Sequence, residues 1–205
     1  MTADRMLDIP LFPLASVLFP GNQIALRVFE LRYLDMVRKC RDTGGAFGVV
    51  SLVEGNEVAR PGETETFATM GTLARIEQFR APQVGLYEIV CRGLQRFRTL
   101  KIERARNALW TARVEILPED PSLAVPPDLL HLRELLGRVW AERAPRAGPG
   151  VDEAPSDCSG LAHRWLELLP IPMPDKQRLL EIDAPLLRLE LVGDWIERLQ
   201  RQPAA

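Results

Sequence analysis

Histidine and cysteine are scarce in this 205-residue chain: His131 and His163 on one count, Cys40, Cys91 and Cys158 on the other. A zinc site needs about four ligands, mostly in close pairs, and residues this dispersed predict none. Three distant cysteines cannot all pair, which points to a reducing compartment and a cytoplasmic location. No apolar run approaches the roughly 18 residues needed to span a bilayer, so no membrane association is expected. The opening MTADRMLD carries two acids and no apolar core, unlike a secretory signal. Lysine is rarer still, with Lys39, Lys101 and Lys176 alone, and none follows a glycine. The phosphate-cradling pattern G-x-x-x-x-G-K-[S/T] is therefore missing, and nucleotide hydrolysis with it. The five serines, Ser16, Ser51, Ser122, Ser156 and Ser159, show no base that would activate them. No cofactor is implied.

What remains is ordinary in amount but uneven in placement. The chain is 46% hydrophobic and 26% charged, which suits one compact protein of one or two small domains. The net charge of −2 hides an asymmetry: residues 1–118 hold 16 basic and 13 acidic side chains, residues 119–205 hold 10 and 15. The periodicity changes at the same place, near Leu117, and predicts a β-rich part over 1–118 and a helical part over 119–205.

In the first part, Pro10, Pro13 and Pro20 punctuate an apolar entry, IPLFPLASVLFPG. Proline cannot donate to a ladder, so this entry is expected as an edge strand. A strand over 24–29 should run into a helix over 30–42, stopped by Gly44-Gly45. Strands are then expected over 46–53, 66–79, 86–92, 96–102 and 109–117, with a polar loop over 54–65 and a turn near Pro82 and Gly85. The last alternates cleanly, Ala112, Val114 and Ile116 against Thr111, Arg113 and Glu115. Short strands at this spacing suggest a small, partly closed antiparallel barrel with one embedded helix.

Beyond the hinge over 118–128, apolar residues recur at helical spacing. Leu129, Leu132, Leu136, Val139 and Trp140 make one stripe, and Leu161, Trp165, Leu168 and Leu169 a second, capped at Ser156 or Asp157. A short helix over 176–181 and a last one with Leu187, Leu191, Trp195, Ile196 and Leu199 inward complete a predicted four-helix bundle. A Pro/Gly-rich insert, residues 144–155, separates the first two.

Several of these segments together resemble the LON domain, the amino-terminal substrate-recognition domain of Lon proteases. The resemblance rests on Pro10–Leu14 as PLFPL, Val17–Gly21 as VLFPG and Ala25–Tyr33 as the strand ending near PLxxFExRY. It continues in Gly71–Ile76 as GTxAxI, in Gly93–Phe97 as a GxxRF hairpin, and in Leu169-Pro170 before Lys176–Glu181 and the leucine helix with Arg188. It extends from about Ile9 to Leu199 and leaves the 144–155 insert unmatched. It implies an α+β fold, a PUA-like barrel followed by helices, and a recognition role. The family's serine–lysine protease chemistry sits on a separate domain, so a non-catalytic module binding polypeptide segments or a protein partner is expected, linked to proteolysis or quality control.

Two other readings stand beside it. The LON barrel resembles the PUA family of RNA-binding barrels, and Arg92, Arg96, Arg98, Lys101, Arg104 and Arg106 against Glu103 give nucleic acid local support. A sequence pI near 5.8 weighs against it. A hydrolase working without ATP is the other, and no residues carry it. For the recognition role, Phe29, Arg32, Tyr33, Arg96 and Phe97 are the candidate binding residues, at a seam between barrel and helices. Phe12, Phe19, Phe29 and Phe97 are otherwise expected in the core. Arg32 should be paired, with Glu30 as one partner, although Arg32, Asp35 and Arg38 are expected nearer solvent. Cys158 opens a predicted helix, where the dipole could activate it, but a buried structural thiol is the stronger reading.

Overall fold

The protein is described by a computed structural model over residues 5–55, 65–143 and 155–201. Most of the expected 54–65 loop, including Pro61-Gly62, and most of the 144–155 insert lie outside these residues. The chain forms two compact units, Met1–Glu119 and Asp120–Ala205.

The first unit carries six strands and one long helix among its described residues: β1 Met6–Leu14, β2 Gln23–Val28, α1 Leu31–Thr43, β3 Phe47–Glu54, β4 Thr66–Gln83, β5 Leu86–Arg104 and β6 Trp110–Ile116. The strands form one sheet in the order β2-β5-β4-β3-β1-β6, and β6 also pairs with β5. The architecture is thus mixed α+β with a six-stranded sheet.

Three expectations need correction. The pairing is not wholly antiparallel, because β1 runs parallel to β3. Nor is β1 an edge strand, since it lies between β3 and β6. Its prolines fit because the two partnerships are staggered: residues 6–10 are in register with β6 and residues 11–14 with β3. Each residue has a strand on one side only, so Pro10 and Pro13 can direct their missing donors away from the ladder. The third correction concerns residues 93–97, which form no hairpin. They lie within the single 19-residue β5, where a register shift between the pairs Ala74–Gly93 and Thr72–Arg96 takes up Leu94 and Gln95.

Both faces of this sheet are covered, which explains why β3 is buried along Phe47–Leu52 rather than alternating with solvent. Neighbouring residues divide between two apolar clusters, as the two-residue period of a strand requires. Phe12, Phe47, Val49 and Ala74 join α1 residues Tyr33, Leu34, Met36, Val37 and Cys40 in one. Leu11, Val50 and Leu73 join Ile9, Phe97, Ala112 and Val114 in the other. The Phe97 ring takes the space that a side chain on Gly71 would need: a Cβ there would come within 2.7 Å of it and closer still to the Val49 carbonyl oxygen. The glycine opening the GTLARI segment is therefore a packing requirement. The helix α1 is flanked by Glu30 before it and by Gly44 after it, whose φ of 65° is the left-handed closure glycine provides.

The second unit holds α2 Leu130–Arg143, entered through a 3-10 turn at Pro127–Leu129, then α3 Cys158–Leu168, α4 Met173–Glu181 and α5 Pro185–Arg201. Asp157 caps α3 by accepting from the Gly160 amide at 3.0 Å. In α5 the inward face is rotated from the expected one: Arg188, Leu189, Val192, Gly193 and Ile196 are buried while Leu187 is exposed. An apolar stripe could not reveal this, because its centre is an arginine. Arg188 is fully buried and donates to the Leu179 carbonyl (3.0 Å), to Asp120 Oδ2 (2.6 Å), to Ser159 Oγ (3.2 Å) and to the Ile182 carbonyl. Trp165 is core, donating to the Leu132 carbonyl at 3.1 Å. Trp140 and Trp195 are half-buried, beneath the guanidinium groups of Arg164 and Arg198 respectively.

Candidate functional site

The five candidate residues do not meet in one place. Tyr33 belongs to the cluster beneath α1 and Phe97, fully buried, to the cluster on the other face of the sheet. Arg96 and Arg32 are buried as well, so Arg32 is not the solvent-facing residue expected on α1. Phe29 alone is open, 57% exposed, and so is not the core residue its apolar context suggests. The reason is local: β2 ends at Val28 and the helix opens at Glu30, leaving Phe29 on the connector outside both packed faces.

Arg32 is held by a polar knot. Its Nε donates to Glu30 Oε2 at 3.1 Å and its Nη1 to the Ala108 carbonyl at 3.1 Å, while Nη2 lies 3.9 Å from Glu65 Oε1. Trp110 Nε1 donates to the other Glu65 oxygen. The guanidinium also lies 4.5 Å over the Tyr33 ring, which stacks on Phe12 at 4.2 Å. The knot fastens the start of α1 to Glu65 and to the turn between β5 and β6. Burial raises the Tyr33 phenol well above its ordinary range, with Arg32 opposing. Its hydroxyl has no hydrogen-bond partner among the described residues. These contacts explain Arg32 and Tyr33 without a ligand.

The basic stretch from Arg92 to Arg106 is no single cationic face. Arg92 is paired with Glu77 and donates to the Gly21 carbonyl, Arg98 lies 3.9 Å from Glu115, and Lys101 is paired with Glu103. Arg104 lies over the Trp110 ring. Burial keeps the cysteines as thiols, pushing Cys91 up to about 12 and raising Cys40 and Cys158 as well. The helix start therefore does not activate Cys158. Among the described residues no three His, Cys, Asp or Glu side chains cluster as a metal site would need. None of the described helices is long and apolar enough to cross a membrane.

Phe29 stands at a groove that sequence reasoning did not assemble. It measures about 310 Å³ and is lined by Phe12, Leu14 and Ser16 on one side and by Ile24, Leu26, Val28 and Phe29 on the other, with Arg27 and Glu30 at its polar margin. The second wall is β2, which pairs with β5 on one side and with no strand on its other among the described residues. Leu31, 80% exposed, follows directly. An unpaired strand edge beside a trough with apolar walls and a polar margin presents backbone donors and acceptors together with room for side chains. The signal in the sequence was the alternation Ile24, Leu26, Val28, which placed the strand but not its neighbours.

A family model described as the ATP-dependent protease La (LON) substrate-binding domain matches residues 8–198. Among curated proteins, the chain is 31% identical over 140 residues to protein cereblon of Danio rerio, across 66% of this chain and 30% of that protein. It is 27% identical over 196 residues to Lon protease 2 of Myxococcus xanthus, across 93% of this chain and 23% of that protein. It thus spans less than a third of either relative. The crystal structure of a Lon N-terminal domain protein from Xanthomonas campestris superposes with a TM-score of 0.75 at 33% identity, covering 92% of this chain and 98% of that one. The sequence match, its length and the shared fold agree: this chain belongs to the LON substrate-binding domain family.

Proposed function

We propose that the protein is a non-catalytic recognition module that binds extended, apolar polypeptide segments along the free edge of β2. The observation that carries this reading is the groove beside that edge, with Phe29 and Leu31 exposed at its end. A strand added to β2 would satisfy the edge through main-chain bonds, and alternate side chains would enter the trough between Phe12 and Leu26. Such binding tolerates many sequences, which suits a module selecting unfolded chains. The likeness to a Lon protease supports a link with proteolysis or protein quality control. The β5–β6 pairing, which closes β5, β4, β3, β1 and β6 into a ring and leaves β2 outside it, supports reading the sheet as a partly closed barrel. The paired cations of β5 give nucleic acid no comparable surface.

The test uses a permanently unfolded probe, reduced and carboxymethylated α-lactalbumin, with amide hydrogen exchange read on the full chain. Binding should slow exchange at residues 23–28, and Phe29→Asp should weaken it at least tenfold with the melting temperature unchanged. Protection confined to other elements, or full affinity in the folded Phe29→Asp variant, would overturn the reading.

A further inference from the structure

We propose that the first unit carries a second binding site, a cavity between α1 and the strands β1, β5 and β6 that takes an organic monoanion with an apolar body. The cavity measures about 640 Å³, within the range of small-molecule sites. Its floor is apolar on the α1 side: Met36 and Cys40 are buried there, and Pro10 and Leu109 are half-buried. Cys40 adds to that character, because burial keeps its thiol protonated.

The rim is cationic and comes from three elements, Lys39 on α1, Lys101 on β5 and Arg113 on β6. Lysine is scarce, so it matters that two of the chain's three border one concavity. Two carboxylates share the rim. Glu103 is taken by Lys101, and Asp8 sits opposite Arg113 in the β1–β6 register, on the same face. Lys39 has no ion-pair partner among the described residues and is exposed. Three cations against two carboxylates leave one positive charge above an apolar floor. The complement is one carboxylate or similar anion on a hydrocarbon body, the charge meeting Lys39 beside the Lys101–Glu103 pair and the body displacing water from the half-buried Pro10 and Leu109.

This site is separate from the β2 groove and shares no lining residue with it. The probes are decanoate and 1-decanol, equal in chain length and different in charge, titrated below micelle formation into the isotopically labelled full chain. Saturable amide shifts are expected at Ala46, Leu109, Thr111 and Ala112, with decanoate bound about tenfold more tightly than the alcohol, as one charge-assisted contact provides. Lys39→Met together with Lys101→Met should bring decanoate to the affinity of 1-decanol without moving the melting temperature, since both side chains are exposed. Should the double variant unfold, Lys39→Met alone should still reduce the preference. Equal affinity for the two probes, shifts mapping away from the cavity, no saturable binding, or a preference that survives in the folded variants would each overturn the proposal. Loss of this site would leave unfolded-chain binding at β2 intact, so the two readings fail separately.

Discussion

Replacing Arg188 with methionine tests the central claim about the helical unit. The side chain is fully buried and its partner Asp120 is 8% exposed. Four donor contacts radiate from it, to Asp120, Ser159 and the carbonyls of Leu179 and Ile182. Methionine keeps much of the volume but leaves the Asp120 carboxylate buried without its cation. Breaking a buried pair from one side costs about 3–5 kcal/mol, and weakened carbonyl contacts add to that. We expect Arg188→Met to cost about 4 kcal/mol. Asp120→Asn should cost less, because the amide still accepts from Ser159 and Arg188. In the double variant no buried charge remains, so the two costs should fall short of additive by at least about 1.5 kcal/mol. The exposed pair Arg201–Glu197, 2.9 Å apart, is the control, and Glu197→Ala should cost under about 1 kcal/mol. The assay is urea unfolding followed by amide exchange within residues 158–201, which reports on this unit alone. A cost below about 1 kcal/mol for Arg188→Met, or strict additivity in the cycle, would refute the reasoning.

Three further outcomes follow from the first unit. Gly71→Ala should destabilise by about 1–3 kcal/mol or more, because the added methyl meets the Val49 carbonyl and the Phe97 ring, and trimming the ring with Phe97→Leu in the same chain should recover part of that. Phe29→Ala should leave the urea midpoint within about 0.5 kcal/mol of wild type, whereas Phe97→Ala should lower stability by about 3–5 kcal/mol, as exposed and buried rings must differ. Cys91 carries a pH signature. Its thiol is held protonated to about 12 in the folded chain, so the unfolded chain loses that proton first as pH rises. The associated stability is fully present below about 8.5, the unperturbed thiol value, and declines from there towards 12. Melting temperature should fall over that window in wild type and less steeply in Cys91→Ala, and equal slopes would refute the assignment.

The sequence by itself determined the order and type of most elements. Alternation placed β6, and short apolar runs placed β2 and β3, each within a residue or two, while Gly44-Gly45 marked the end of α1. The family was legible for the same reason, since its signature residues are packing requirements: Gly71 yields to Phe97, and Arg188 fills the centre of the helical unit. Arg32 with Glu30 could also be paired from sequence, because they are two residues apart. What only the tertiary structure decided is everything that depends on neighbours distant in the chain. Proline at Pro10 and Pro13 suggested an edge, yet staggered pairing with β6 and β3 makes β1 internal. Hydropathy set the expected face of α5, yet a buried ion pair reaching to Asp120 rotates it. Five motif residues suggested one site, yet Tyr33 and Phe97 pack on opposite faces of the sheet and Phe29 on neither. The cavity beside α1 draws on β1, β5 and β6 and so has no local sequence signal, while the β2 groove is lined within residues 12–33 alone and becomes a concavity only because the chain turns between β1 and β2 and pairs β2 with β5.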